Sequence, residues 1–178
     1  MPLVGFFKNK TKLPKYLKEH HFTFVERPFH DAVSDILKWG WSQWWPKDSP
    51  VQYTLTGSGP EEIGPGRSCQ MVMTGKFLKS IWSGEVIQLK GHLLQIEWKS
   101  GMMIGQEFVI AEERSNGTRV DHRVRYTGSN LVGRFLWLLF FRKKYHECIL
   151  QAMDALKTGI GNFEKDMTHG PEGGEING

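Results

Sequence analysis

The sequence predicts an α+β fold: a curved seven-stranded antiparallel sheet gripping a long C-terminal helix, with two short helices after the first strand. Three observations predict it. A strand-like run opens the body and is followed by helical spacing. Six strand-like runs with short connections come next, and strands joined that way form an antiparallel meander. The hydrophobic period then changes from two to helical for the last long segment.

The elements follow in order. Residues 22–27 have strand character, and Pro28 ends the run. Phe29, Val33, Ile36 and Leu37 then recur at helical spacing. Trp39, Trp41, Trp44 and Trp45 follow closely and must bury large area somewhere. Residues 51–55 alternate cleanly, and residues 57–66 form a turn-rich loop of Gly and Pro. Residues 68–73, 85–89, 93–98 and 102–112 are the next strands, with a turn at Lys90-Gly91-His92. Asn116-Gly117 is a hairpin signal leading into residues 118–126. In that last strand Val120, His122, Val124 and Tyr126 share one face. Arg119, Asp121, Arg123 and Arg125 share the other, a half-buried strand with a charged outer side. Ser129 or Asn130 caps a helix that runs to about Lys157, with Gly159 as its stop. Its first half is apolar nearly all round; in its second half Tyr145, Ile149, Met153 and Leu156 form one stripe. A helix laid across a bent sheet leaves a cavity between them, the natural place for a ligand.

A chain of 178 residues is enough for one domain without disulfide or metal staples. The layout is a basic, flexible arm at residues 1–21, a domain at 22–160 and a Gly-rich disordered tail at 161–178. The longest apolar run, residues 135–141, is far short of the roughly 20 residues a spanning helix needs. Cys69 and Cys148 share no paired spacing and fit a reduced, cytoplasmic protein. The apolar stretch at residues 3–7 precedes the lysines, the reverse of a signal peptide. Five lysines against Glu19 place the whole net charge of +4 in residues 1–21. The rest is neutral, so no nucleic-acid partner is expected. The arm's apolar tip and lysines, with the apolar half of the terminal helix, allow peripheral contact with an anionic membrane or docking of a protein partner.

This order of elements resembles the START-like superfamily, also called helix-grip or SRPBCC. Residues 24–37, with Arg27-Pro28 where Ala-Pro is usual, resemble its opening strand, turn and first helix. Gly64-Pro65-Gly66 resembles its glycine entry to the third strand. Asn116-Gly117-Thr118 resembles its Gly-Gly-Thr hairpin, and the terminal helix matches in position and length. The resemblance covers about residues 22–158 and implies a hydrophobic ligand, a small molecule or lipid, held between sheet and helix; the apolar, Met-rich interior with few convergent polar groups points to binding without turnover. Some members of the superfamily are instead polyketide cyclase/dehydrase-like enzymes.

The expected lining is Tyr53, Met71, Met73, Trp98, Gln106, Phe108, His122, Tyr126, Phe135 and Leu139. Met and aromatic side chains supply adaptable apolar surface. In residues 102–110 the even positions, Gln106 and Phe108 included, are read as the inner face. His122 is the candidate proton shuttle should the protein be an enzyme, with Gln106 or Tyr126 orienting a carbonyl; the plain alternative is a hydrogen-bonded core histidine. No metal and no cofactor are expected. His20 and His21 are adjacent and lie in the arm, and His92, His122 and His146 lie on three separate elements. The oligomeric state is not legible.

Overall fold

The computed structural model describes residues 16–57 and 63–167, the last nine of them by backbone alone. Seven strands form one antiparallel sheet: β1 (Leu17–Val25), β2 (Val51–Thr56), β3 (Ser68–Thr74), β4 (Lys79–Lys90), β5 (Leu93–Gly101), β6 (Met103–Arg114) and β7 (Gly117–Gly128). Their order is β1-β7-β6-β5-β4-β3-β2, a meander from β2 to β7 with β1 added at the far edge. Between β1 and β2 stands α1 (Phe29–Lys38), followed by one 3-10 turn (Trp39–Trp41). That turn is all there is of the second short helix.

The terminal helix starts where Asn130 caps it, its side chain accepting from the Gly133 amide at 2.7 Å. It comprises α2 (Leu131–Leu136), a π-helical turn (Trp137–Phe141) and α3 (Arg142–Met167). The backbone stays helical through Gly159 and Gly161, past the predicted stop and into the predicted tail. A helical glycine costs about 1 kcal/mol and does not by itself end a helix. Tyr145, Ile149, Ala152, Met153 and Leu156 are buried along α3, as the stripe predicts.

β1 corrects the arm boundary. The strand begins at Leu17, pairing Leu17 with Tyr126 through to Val25 with Thr118. Leu17–His21, read as part of the arm, therefore belong to the sheet; residues 1–15 and 168–178 lie outside the described residues. The strand alternates about that pairing. His21, Thr23 and Val25 are buried, while Phe22 is 67% exposed and Phe24 faces outward with it. Arg119 from β7 lies over the Phe22 ring at 5.1 Å, so the outer face holds the aromatic beneath a cation.

Gly91, at φ +60, makes the tight β4–β5 turn. The interior is dominated by fully buried rings: Trp39, Trp82, Trp98, Trp137, Tyr126, Tyr145 and Phe141. Trp82 alone meets Trp98, Tyr126, Trp137 and Tyr145 at ring-centroid distances of 5.0–6.3 Å. Among the described residues no helix is long and apolar enough to cross a membrane.

Candidate functional site

The most unusual group in the core is a carboxylate. Glu107, on β6, is 1% exposed and faces inward. Four side chains meet it. Trp39 Nε1 donates to Oε1 at 3.1 Å, the Tyr53 hydroxyl to Oε1 at 2.9 Å and Trp98 Nε1 to Oε2 at 2.9 Å. His122 Nε2 lies 3.0 Å from Oε1. An uncompensated buried charge would cost several kcal/mol, and these four contacts are what holds it.

Each partner is placed by its element. Trp39 sits at φ +41 just after α1, a conformation that costs a non-glycine residue about 1–3 kcal/mol. Its indole recovers that cost by stacking on His122, with centroids 4.8 Å apart and planes at 17°, while donating to Glu107. Gly40 follows because a Cβ there would run into the Tyr53 ring. Burial, and then the Glu107 charge, push the Tyr53 hydroxyl well above its ordinary pKa, so it stays a donor.

From Glu107 a line of histidines leads outward. His122 Nδ1 lies 3.4 Å from His21 Nδ1, and His21 Nε2 lies 2.7 Å from His146 Nδ1. His21 is buried on β1; His146 is exposed on α3. One assignment of protons, with Glu107 as an acceptor, satisfies the whole line. The two indoles can only donate, so both Glu107 oxygens accept. With Glu107 accepting, His122 donates from Nε2 and accepts at Nδ1. His21 then carries its proton on Nδ1 and presents a bare Nε2 lone pair toward His146. Burial, and then the neighbouring His122 and His146, push the His21 pKa down to about 4. Glu19, two residues before on the same face of β1, accepts from the Tyr126 hydroxyl at 3.0 Å and from Arg142 Nε at 2.8 Å.

The structure brings six of the expected lining residues inside: Tyr53, Met71, Met73, Trp98, His122 and Tyr126 are all buried. Tyr53, Trp98 and His122 converge on Glu107. Four lie elsewhere. Gln106 and Phe108 are on the outer side of β6, lining shallow depressions there, because Met103, Glu107, Val109 and Ala111 take the inner face. Phe135 and Leu139 are 60% and 59% exposed, because Trp137 and Phe141 occupy the gripping face of the helix. Glu107, Trp39, His21, His146 and Glu19 are the participants that sequence reasoning missed.

Two further surface features stand apart from this cluster. A groove of about 660 Å³ runs between α1 and the ends of β2 and β4, lined by Val33, Leu37, Trp41, Leu55, Ile63 and Leu89. On the other surface, Phe77 and Leu78 of the β3–β4 turn adjoin Phe140 of the π turn, with Lys76 and Lys144 beside them. Leu131, Val132, Phe135 and Leu139 extend that apolar exposure along the helix. Cys69 and Cys148 are free and buried, and burial pushes the Cys69 thiol up to about 12.

No protein-family model and no curated protein matches the sequence. Solved structures do match. The Zhui aromatase/cyclase from Streptomyces sp. R1128 superposes with a TM-score of 0.61 at 9% identity, over 83% of this chain and 94% of that one. The KanY protein gives 0.60 at 14% identity, over 82% and 97%. Major latex-like protein 151 from Panax ginseng gives 0.55 at 11% identity, over 82% and 97%. Identities this low speak for architecture alone. With its strand order and its terminal helix, that likeness gives the chain the helix-grip fold.

Proposed function

We propose that the protein binds an apolar small molecule or lipid chain, without turnover, in the groove between α1 and the ends of β2 and β4. The carrying observation is the groove itself, whose volume of about 660 Å³ and apolar lining suit a small ligand. The space between sheet and α3, where the fold would suggest a ligand, holds the packed rings of Trp82, Trp98, Trp137, Tyr126 and Tyr145. Carriage is favoured over turnover because His122 is fully buried and lines none of the depressions described above. Gln106, its proposed helper, faces the opposite side of the sheet.

The test combines two measurements. Mass spectrometry of an organic extract from freshly purified protein should show one enriched apolar molecule, compared with an unrelated protein purified identically. Titration with cis-parinaric acid should show binding that falls at least about tenfold, a loss of about 1.4 kcal/mol, in Val33→Glu and Leu89→Glu. Phe135→Glu, away from the groove, should bind as the wild type does. Equal binding by all four proteins would overturn the groove as the site.

A second reading rests on a separate observation, the exposed apolar surface of α2, the π turn and the β3–β4 turn. We propose that this face rests on an anionic membrane. Phe77 is 85% exposed, and the lysines beside it supply the matching charge. Protein should cosediment with phosphatidylserine-containing vesicles, less so at high salt, and Phe77→Glu with Phe135→Glu should abolish it. Binding indifferent to lipid charge and to both substitutions, or no binding, would refute this reading.

A further inference from the structure

Strand pairing and the return of α3 bring together three side chains that are far apart in the sequence. Glu19 and His21 point the same way from β1, and His146 meets them from α3. One ligand atom from each lies within 4.8 Å of the others. We propose that Glu19, His21 and His146 bind one divalent transition-metal ion, Zn²⁺ by preference, and thereby clamp β1 to α3.

Four features of the site support this. Two imidazoles and one carboxylate form a donor set suited to zinc, and three protein ligands leave a fourth position for water. His21 directs Nε2 toward the site, and in the assignment above that nitrogen carries the lone pair. Its other nitrogen is held by His122, which is held in turn by Glu107, the outer-shell support expected of a ligating histidine. Glu19 is oriented as well: Oε1 takes the bonds from Tyr126 and Arg142, and Oε2 is left for the ion.

The rearrangement needed is small. His21 Nε2 and His146 Nδ1 are 2.7 Å apart, whereas two nitrogens on one tetrahedral zinc are separated by about 3.3 Å. The exposed His146 ring can make that shift. It must also move its proton from Nδ1 to Nε2, an exchange with solvent that needs no net release from the neutral ring. Glu19 closes the remaining gap by side-chain rotation. Arg142 opposes the cation, and it is the feature that sets affinity apart from that of an isolated two-histidine pair.

The test uses the untagged full chain, freed of metal by a chelator and titrated with ZnCl₂ by calorimetry. One ion should bind per chain, and Co²⁺ in its place should give the intense visible absorption of a tetrahedral site. His146→Ala should weaken Zn²⁺ at least as much as loss of an outer-shell partner does, about 10- to 100-fold. Because His146 is exposed, that variant should fold, and circular dichroism checks this. Glu19→Gln should weaken binding, whereas Arg142→Ala should tighten it. His20→Ala, a histidine on the outer side of the same strand and bonded to Asp121, should change nothing. Zinc that binds equally to wild type and His146→Ala, more than one ion per chain lost with His20, or no saturable binding would overturn the proposal.

Discussion

Glu107→Ala is expected to destabilise the protein by about 4 kcal/mol, at about 2 kcal/mol for each of two stranded indole N–H groups. Trp39 and Trp98 are fully packed, so neither indole can turn toward another acceptor. Tyr53 and His122 lose their partner too, but a water entering the space left by the carboxylate can serve them. Glu107→Gln separates charge from shape. Its amide oxygen can replace Oε1 for three of the donors, while its NH₂ faces Trp98 Nε1, donor against donor. Gln should therefore cost about half as much as Ala, near one stranded donor. Urea unfolding at neutral pH measures both, and a loss below about 1 kcal/mol for Ala would mean that the cluster is not what holds the core.

The second large effect concerns pH. In buffer containing a chelator, stability should fall by about 2 kcal/mol as pH drops from 6.5 toward 4. Above pH 6.5 His21 is neutral in both folded and unfolded chains and contributes no slope. Below that, the unfolded chain takes up a proton that the folded one refuses, so unfolding is favoured progressively. Once pH passes the folded value of about 4, both forms are protonated and the contribution stops changing. The charged groups that act on His21 are His122 from β7, His146 from α3, Glu19 on the same face of its own strand and His20 on the outer face. Three of these oppose the proton and Glu19 favours it. A shift of this size converts to about 3 kcal/mol at most, and the opening to solvent through His146 reduces it. His21→Gln should flatten the slope between pH 6.5 and 5. Equal slopes in both proteins would assign the effect to other groups.

Local pattern carried most of the architecture. The Asn130 cap, the Tyr145–Ile149–Met153–Leu156 stripe and the alternation of β7 are all short-range signals, and each matches an element of the fold. The functional cluster was less legible because it depends on phase. In β6 the even positions hold Ile104, Phe108 and Ile110, more obviously apolar than Met103, Val109 and Ala111, and this suggested the wrong inner face. One signal was present. A two-residue loop joins Arg114 to Gly117, and directly paired residues share a face, so inward His122 requires inward Val109. That parity brings Glu107 in and turns Gln106 out. In β1, Phe22 and Phe24 alternate with His21, Thr23 and Val25, and hydrophobicity alone does not say which side of an edge strand the core lies on.

The fold class, the order of elements and the inward place of His122 can be read from local pattern. These follow from periodicity, turns and caps, which act over a few residues. Packing of the whole chain is what makes Glu107 collect donors from β2, β5, β7 and the turn after α1, and what brings His21 to His146 over a separation of 125 positions. It also decided that the π turn directs Trp137 and Phe141 inward and leaves Phe135 and Leu139 outside. Such meetings depend on strand register and helix rotation, set by the packing of the whole core, and no short stretch of chain contains that information.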